Sequence, residues 1–202
     1  MTPWELPPVR LLVVCTANQC RSPMGETFAR DRAAHCGIPL LTASAGTRAV
    51  DGVPATDDAQ ATMRRLGFDL SAHRSRAVSS AMTTVADLVV AMERDHVLDL
   101  VQAHGAPLPR TFTVLELAAM VRASPRSPGE SVAAYLDRVG ADRTTGDVMR
   151  APGLADPVGL SLRRHRRAAE QIRDAFGEII AALAGIDQID DGLQPTRSPD
   201  AR

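Results

Sequence analysis

Val13-Val14-Cys15-Thr16-Ala17-Asn18-Gln19-Cys20-Arg21-Ser22-Pro23-Met24 decides how the rest of the chain reads. The residues before it, Val9 to Val14 broken only by Arg10, make a short apolar run of the kind found in buried strands. Ser22 suits a helix N-cap and Pro23 the first helical position, so a helix is expected from Met24 to Cys36, ended by Gly37. A strand feeding a tight loop and then a helix N-terminus turns several backbone N–H groups toward one point, and that is an anion site. Cys15 at the start of the loop and Arg21 at its end add a nucleophile and a planar fork for phosphate oxygens.

Outward from this stretch, short apolar runs alternate with helical patterns. Pro39 to Ser44 reads as a second strand running into Ser44-Ala45-Gly46-Thr47, where the glycine admits the close approach of another backbone. Asp57 to Leu66 fits a helix with Ala59, Met63 and Leu66 on one face, and Ala72 to Arg76 is a polar connection. Asp87 to Met92 is a buried-type strand, Asp95 to His104 a helix, and Thr111 to Val114 a fourth strand passing into Leu117 to Val121. The alternation indicates an α/β fold with a parallel sheet covered on both faces. Residues 122–155 are less regular, with a loop at Ser124 to Gly129, a short helix at Ser131 to Val139 and an irregular stretch from Gly140 to Gly153. A last helix spans Ser161 to Leu183, with His165, Ala169, Ile172, Phe176, Ile179 and Leu183 among its apolar face. One domain over residues 1–185 is expected, with 122–155 as an extra segment before the last helix and 186–202 as a disordered tail.

Composition excludes several classes. The chain has 202 residues, 45% of them hydrophobic, which is enough for one domain with a core. A net charge of −1 argues against a general nucleic-acid or membrane-surface binder. All 23 basic residues are arginine, as coding bias in a high-GC genome produces. No apolar run approaches the ~20 residues of a membrane span. Trp4, Glu5 and the neighbouring prolines do not read as a signal peptide, and three cysteines make no disulfide framework. A bacterial, cytoplasmic protein is expected.

The Cys-x5-Arg-Ser arrangement, with Asn18 inside it and Pro23-Met24 behind it, resembles the phosphate loop of the low-molecular-weight protein tyrosine phosphatases. Ser44-Ala45-Gly46-Thr47, Gly52-x-Pro54, Gly67, His73 to Arg76, Ala86 to Met92 and Asp156-Pro157 resemble that family in its own order, over roughly residues 9–92 and 154–184. The resemblance implies a four-stranded parallel sheet with helices on both faces and the loop at the carboxyl end of the first strand, where open α/β sheets place ligands. It also implies a reaction, hydrolysis of a phosphomonoester through a cysteinyl-phosphate intermediate without metal or cofactor. Cys15 would be the nucleophile, Arg21 the group that grips equatorial phosphate oxygens, and Asp156 the acid toward the leaving group and then the base toward water. A free thiol with pKa near ~8.5 is only ~3% ionised at pH 7, and N–H dipoles beside a guanidinium favour the thiolate. Thr16, Ala17, Asn18, Gln19, Cys20, Arg21 and Ser22 would cradle the phosphate. Ser22 would also hydrogen-bond the sulfur, and Asn18, Ser44 and His73 would hold the loop's shape. Asp147 and Asp142 are fallback acids. Cys20 would be a neighbour able to trap an oxidised Cys15 reversibly, whereas Cys36 reads as core. A sulfur shut away from solvent, or a guanidinium aimed elsewhere, would contradict this reading.

The chain departs from the family pattern where a substrate's body would lie. Val158-Gly159 follow Asp156-Pro157 where aromatics are usual, and Arg48-Ala49-Val50 follow Ser44 to Thr47 where Trp or Tyr is usual. Gln19 replaces the common aliphatic residue, a position where the phosphoarginine branch has threonine. The partner is therefore expected to be a phosphorylated protein or a small phosphomonoester, with the phosphorylated group open between phosphotyrosine, phosphoarginine and others. Arsenate reductase coupled to a small thiol is the alternative enzyme, and a non-catalytic phosphate-binding module the alternative without chemistry. Arg163, Arg164, Arg166 and Arg167 oppose the dipole of the last helix and read as a solvated face or an attractor for acidic partners. A lid over the pocket is one expectation for residues 122–155. Oligomeric state is not legible.

Overall fold

The computed structural model describes residues 7–186. Strands β1 (Val9–Cys15), β2 (Leu40–Gly46), β3 (Leu88–Ala91) and β4 (Thr111–Thr113) form one sheet in the order β2-β1-β3-β4, every pairing parallel. β1 is hydrogen-bonded on both edges, with Val13 opposite Ser44 on one side and Val90 on the other. Parallel neighbours need crossovers. These run through α1 (Arg21–Cys36), α2 (Asp57–Arg65), α3 (Ser80–Val85) and α4 (Arg94–His104). After β4 come α5 (Val114–Ala123), α6 (Val132–Gly140), α7 (Thr145–Arg150) and α8 (Leu162–Ala184).

The period-two alternation of β1 separates two apolar layers. Leu11 and Val13 pack with Phe28 of α1 and with Ile172 and Phe176 of α8, whereas Leu12 and Val14 pack with Val97 and Leu100 of α4. Burying each such side chain stabilises the fold by about 1.5–3 kcal/mol, so both faces of the sheet need their helices. The seam of α1 against α8 is tight: a Cβ on Gly25 would stand 2.7 Å from the Phe176 ring. The buried stripe of α8 (His165, Ala168, Ala169, Ile172, Ala175, Phe176, Ile179, Ile180, Leu183) is the apolar face its spacing indicates.

Three local expectations need correction, and one helix was not expected. Ser22 is not the N-cap of α1: the helix begins at Arg21 with Cys20 as N-cap, and the Ser22 hydroxyl is used inside the phosphate loop. α5 begins at Val114, because Thr113 and Glu116 form a capping box that starts a helix where the strand reading continued. The irregular stretch 140–153 contains α7, opened by a second capping box of Thr144 and Asp147. The short α3 lies in a stretch without an apolar period, and among its residues only Thr83 is buried. Of the tail expected over 186–202, residues 187–202 lie outside the described residues.

Residues 122–155 are tied to the body by buried and part-buried polar contacts. Arg143, its side chain 1% exposed, donates from Nε and Nη2 to both oxygens of Glu116 at 2.9 and 2.8 Å and from Nη1 to Leu108 O, and stacks over Phe112. Tyr135 is buried with its hydroxyl donating to Ser124 O, and Arg126 donates to Leu183 O at the end of α8. At its far end, Thr113 Oγ1 donates to Pro152 O and Leu154 N to Met92 O. The segment thus carries residue 156 to the end of β3.

Candidate active site

The loop between β1 and α1 holds itself open. Among the described residues, none accepts from the backbone N–H groups of Thr16, Ala17, Asn18, Gln19 or Cys20. Its carbonyls, by contrast, are claimed from three other segments: Arg48 N donates to Thr16 O, His73 Nε2 to Asn18 O and Thr56 N to Gln19 O. Turning carbonyls outward onto fixed donors leaves the amides facing the concavity. Asn18 has φ 54°, the left-handed conformation that Asn tolerates and most side chains do not. Its Nδ2 donates to Ser22 Oγ and Ser44 Oγ, each at 2.9 Å, and its Oδ1 accepts from Arg76 N. Gly46, at the end of β2, completes the fit: a Cβ there would lie 2.5 Å from Thr16 O and 2.8 Å from Asn18 N.

A depression of about 50 Å³ is lined by Cys15, Ala17, Gln19, Cys20, Arg21, Thr56, Asp156 and Val158. Cys15 is only 3% exposed and Arg21 1%, yet both line it. The Cys15 sulfur lies 3.0 Å from Ser22 Oγ. Arg21 donates from Nη1 to Glu93 and to Leu154 O and from Nη2 to Asp156 Oδ2 at 2.6 Å. Its Nε–H and second Nη2–H make no hydrogen bond among the described residues, which leaves one edge of the guanidinium for an oxyanion. Asp156 is ion-paired on the other side and its side chain is 42% exposed. Cys20 is buried, and that burial, with Cys15 and Asp156 close by, pushes its thiol up to about 12. At neutral pH it is therefore a protonated thiol, not a competing nucleophile.

Each expected site residue falls in or beside this depression: Cys15, Arg21, Asp156, Gln19, Cys20 and Ala17 on its wall, and Asn18, Ser22, Ser44 and His73 in the supporting network. Thr16 stands behind the wall, its hydroxyl 2.9 Å from His96 Nε2. The fallback acids fall away. Asp147 is absorbed in its capping box and an ion pair with Arg150, its carboxyl held down at about 2, and neither it nor Asp142 lines the depression. No residue of 122–155 lines it either; the segment meets the site through Leu154, whose carbonyl accepts from Arg21 Nη1. Of the four arginines in the first turns of α8, Arg166 pairs with Glu170, and Arg163, Arg164 and Arg167 are exposed.

Glu93, Glu26, Arg76 and His96 were not read from the sequence. The position of Glu93 just past the carboxyl end of β3 was a partial signal, but its place beside the strand that carries Cys15 follows only from the sheet order. Glu26 sits one turn after Ser22 on the same helix face and accepts from Ser44 Oγ at 2.6 Å. Arg76 donates from Nε to Ser44 O, a contact that only the tertiary fold reveals.

A family model described as "Low molecular weight phosphotyrosine protein phosphatase" matches residues 10–120. The probable low molecular weight protein-tyrosine-phosphatase EpsP of Ralstonia nicotianae is 32% identical over 107 residues, covering 53% of this chain and 71% of that protein. The protein-arginine-phosphatase of Geobacillus stearothermophilus is 30% identical over 176 residues, covering 87% of this chain and 97% of that one. The crystal structure of the low molecular weight protein tyrosine phosphatase from T. tengcongensis superposes with a TM-score of 0.66 at 26% identity, over 85% of this chain and 97% of that chain.

Proposed function

The chain belongs to the low molecular weight phosphotyrosine protein phosphatase family, and from that premise we propose that it hydrolyses phosphomonoesters at Cys15 through a covalent cysteinyl phosphate. One observation carries the reading: loop amides without protein acceptors, a sulfur, a guanidinium edge and a carboxylate converge on one depression. In the first step Cys15 Sγ forms a bond to phosphorus as the bond to the leaving oxygen breaks, and Asp156 gives that oxygen a proton. Arg21 and the loop amides hold the three equatorial oxygens as charge shifts. In the second step the Asp156 carboxylate takes a proton from water, the water oxygen bonds to phosphorus, and the S–P bond breaks. Ser22 Oγ–H, 3.0 Å away, receives the departing sulfur.

The walls favour a second reading of the substrate. Thr56, Gln19 and Val158 line the depression and no aromatic ring does among the described residues, so none of these offers a stacking face to a phenyl group. Phosphoarginine, whose planar guanidino group needs polar partners, suits Gln19 and Thr56; there the P–N bond breaks and the proton from Asp156 goes to the leaving nitrogen, and one relative that this chain nearly spans is named a protein-arginine-phosphatase. Phosphatase names among the relatives also favour hydrolysis of a phosphoryl group over arsenate reduction.

We place the reaction in a bacterial cytoplasm. The described cysteines are free thiols, no described helix is long and apolar enough to cross a membrane, and the relatives named above are bacterial. Residues 122–155 are read as an insertion in a single domain, supported by a family match that stops at residue 120 and by the packing of α8 back onto α1.

The deciding experiment measures phosphate release from phosphotyrosine, phosphoarginine and phosphoserine peptides and from p-nitrophenyl phosphate, beside a Cys15→Ser control. Release from at least one, abolished by C15S, is expected. Release from none, or release that C15S leaves intact, overturns the proposal.

A further inference from the structure

His96, near the start of α4, is 6% exposed and places Nε2 2.9 Å from Thr16 Oγ1. Its Nδ1 is sealed from solvent and has no hydrogen-bond partner. The two nitrogens together fix the direction of the bond. Were Nε2 the acceptor, a neutral ring would carry its proton on Nδ1, and a buried N–H would be stranded, which is the costlier orphan. With the proton on Nε2, the stranded atom is a bare lone pair and Thr16 Oγ1 accepts.

Resting on the phosphatase reading, we propose that His96 is a positioning residue of the nucleophile loop: as the neutral Nε2–H tautomer it pins Thr16, the residue after Cys15, and an acidic medium releases the pin. The other contacts to the loop fall on backbone carbonyls or on Asn18, whereas His96 alone holds the side chain next to the nucleophile. An imidazolium would put a second N–H where no acceptor lies, beside the Arg21 cation. Burial first and Arg21 next hold the ring's pKa below its ordinary value, and Glu93, Asp156 and Asp95 oppose this with smaller effect. On protonation the ring must turn out of its site, so Thr16 loses its donor.

The test combines a direct view of the ring with kinetics. Imidazole ¹⁵N spectra of the intact protein are expected to show His96 with its proton on Nε2 at neutral pH. A proton on Nδ1, or a ring charged at pH 7, overturns the proposal whether or not the protein is a phosphatase. In turnover of p-nitrophenyl phosphate, His96→Ala and Thr16→Val should each lower kcat by roughly 5–10-fold, the worth of one hydrogen bond. The double variant should be no worse than either single one. His96→Gln, whose amide donates without titrating, should restore most of kcat at pH 7 and retain more of it than wild type as the pH falls below 6. Additive losses, or an acid limb identical in H96Q and wild type, overturn the proposal. Absence of turnover in wild type would count against the phosphatase reading alone, because the spectra still judge the ring.

Discussion

Asn18 is the residue whose replacement most directly tests whether the loop is held open by its own network. It is fully buried, sits at φ 54° and makes three side-chain hydrogen bonds. In Asn18→Ala, Ser44 keeps Glu26 and Ser22 keeps Ala45 O, so those two losses cost about 1 kcal/mol each. The Arg76 N–H loses its acceptor outright, at about 1–3 kcal/mol. An alanine held at positive φ adds about 1 kcal/mol. The total is about 4–6 kcal/mol. Asn18→Gly loses the same bonds without the conformational strain, so it should unfold about 1 kcal/mol later than the alanine variant. Urea denaturation followed by circular dichroism reads both numbers. With the loop amides no longer fixed, turnover of p-nitrophenyl phosphate should fall by about 10²-fold in either variant. An alanine variant within 1 kcal/mol of wild type, or no difference between alanine and glycine, would refute the network as the source of the loop's shape.

Other consequences are as accessible. Asp156→Asn should cut turnover of phenyl phosphate by about 10²–10⁴-fold and that of p-nitrophenyl phosphate by less, because p-nitrophenolate leaves without a proton. The same variant removes an anion that shares Arg21, so inhibition by inorganic phosphate should strengthen; a weaker inhibition constant would sink the idea of competition. Iodoacetate at pH 7, read by peptide mass spectrometry, should modify Cys15 and spare Cys20, whose thiol lies at about 12; modification of Cys20 first would contradict this. Arg143→Met should destabilise by about 3–5 kcal/mol in urea by stranding the Glu116 carboxylate, and Arg143→Met with Glu116→Leu should recover most of it. A double variant as unstable as the single one would show that apolar replacement does not fill the site.

The loop was legible because its chemistry is compressed into a few consecutive residues: a strand, a cysteine, an arginine and a helix start leave little freedom. Asp156 needed the family's order, since an Asp-Pro pair alone is only a turn. What stayed hidden depends on how the sheet is ordered. β3 lies beside β1, and only that adjacency brings Glu93 to Arg21 and His96 to Thr16. Ser22 shows a local rule overruled by a tertiary one, because a hydroxyl with the chemistry of a cap is taken by Asn18 and the sulfur. Thr113 and Thr144 show the reverse, local capping signals present in the sequence: the first is masked because Val114 also continues the apolar run of the strand, the second because the residues around it lack a helical period.

Cys15 closes an interior strand, with a hydrogen-bonded neighbour along both edges and a helix layer on each face, whereas Asp156 reaches the same place on a connection open to solvent. Slow amide exchange should therefore run right up to the sulfur, while the carboxylate's stretch exchanges readily. Motion in the reaction then belongs to the proton carrier, and the attacking atom waits as a stationary anvil.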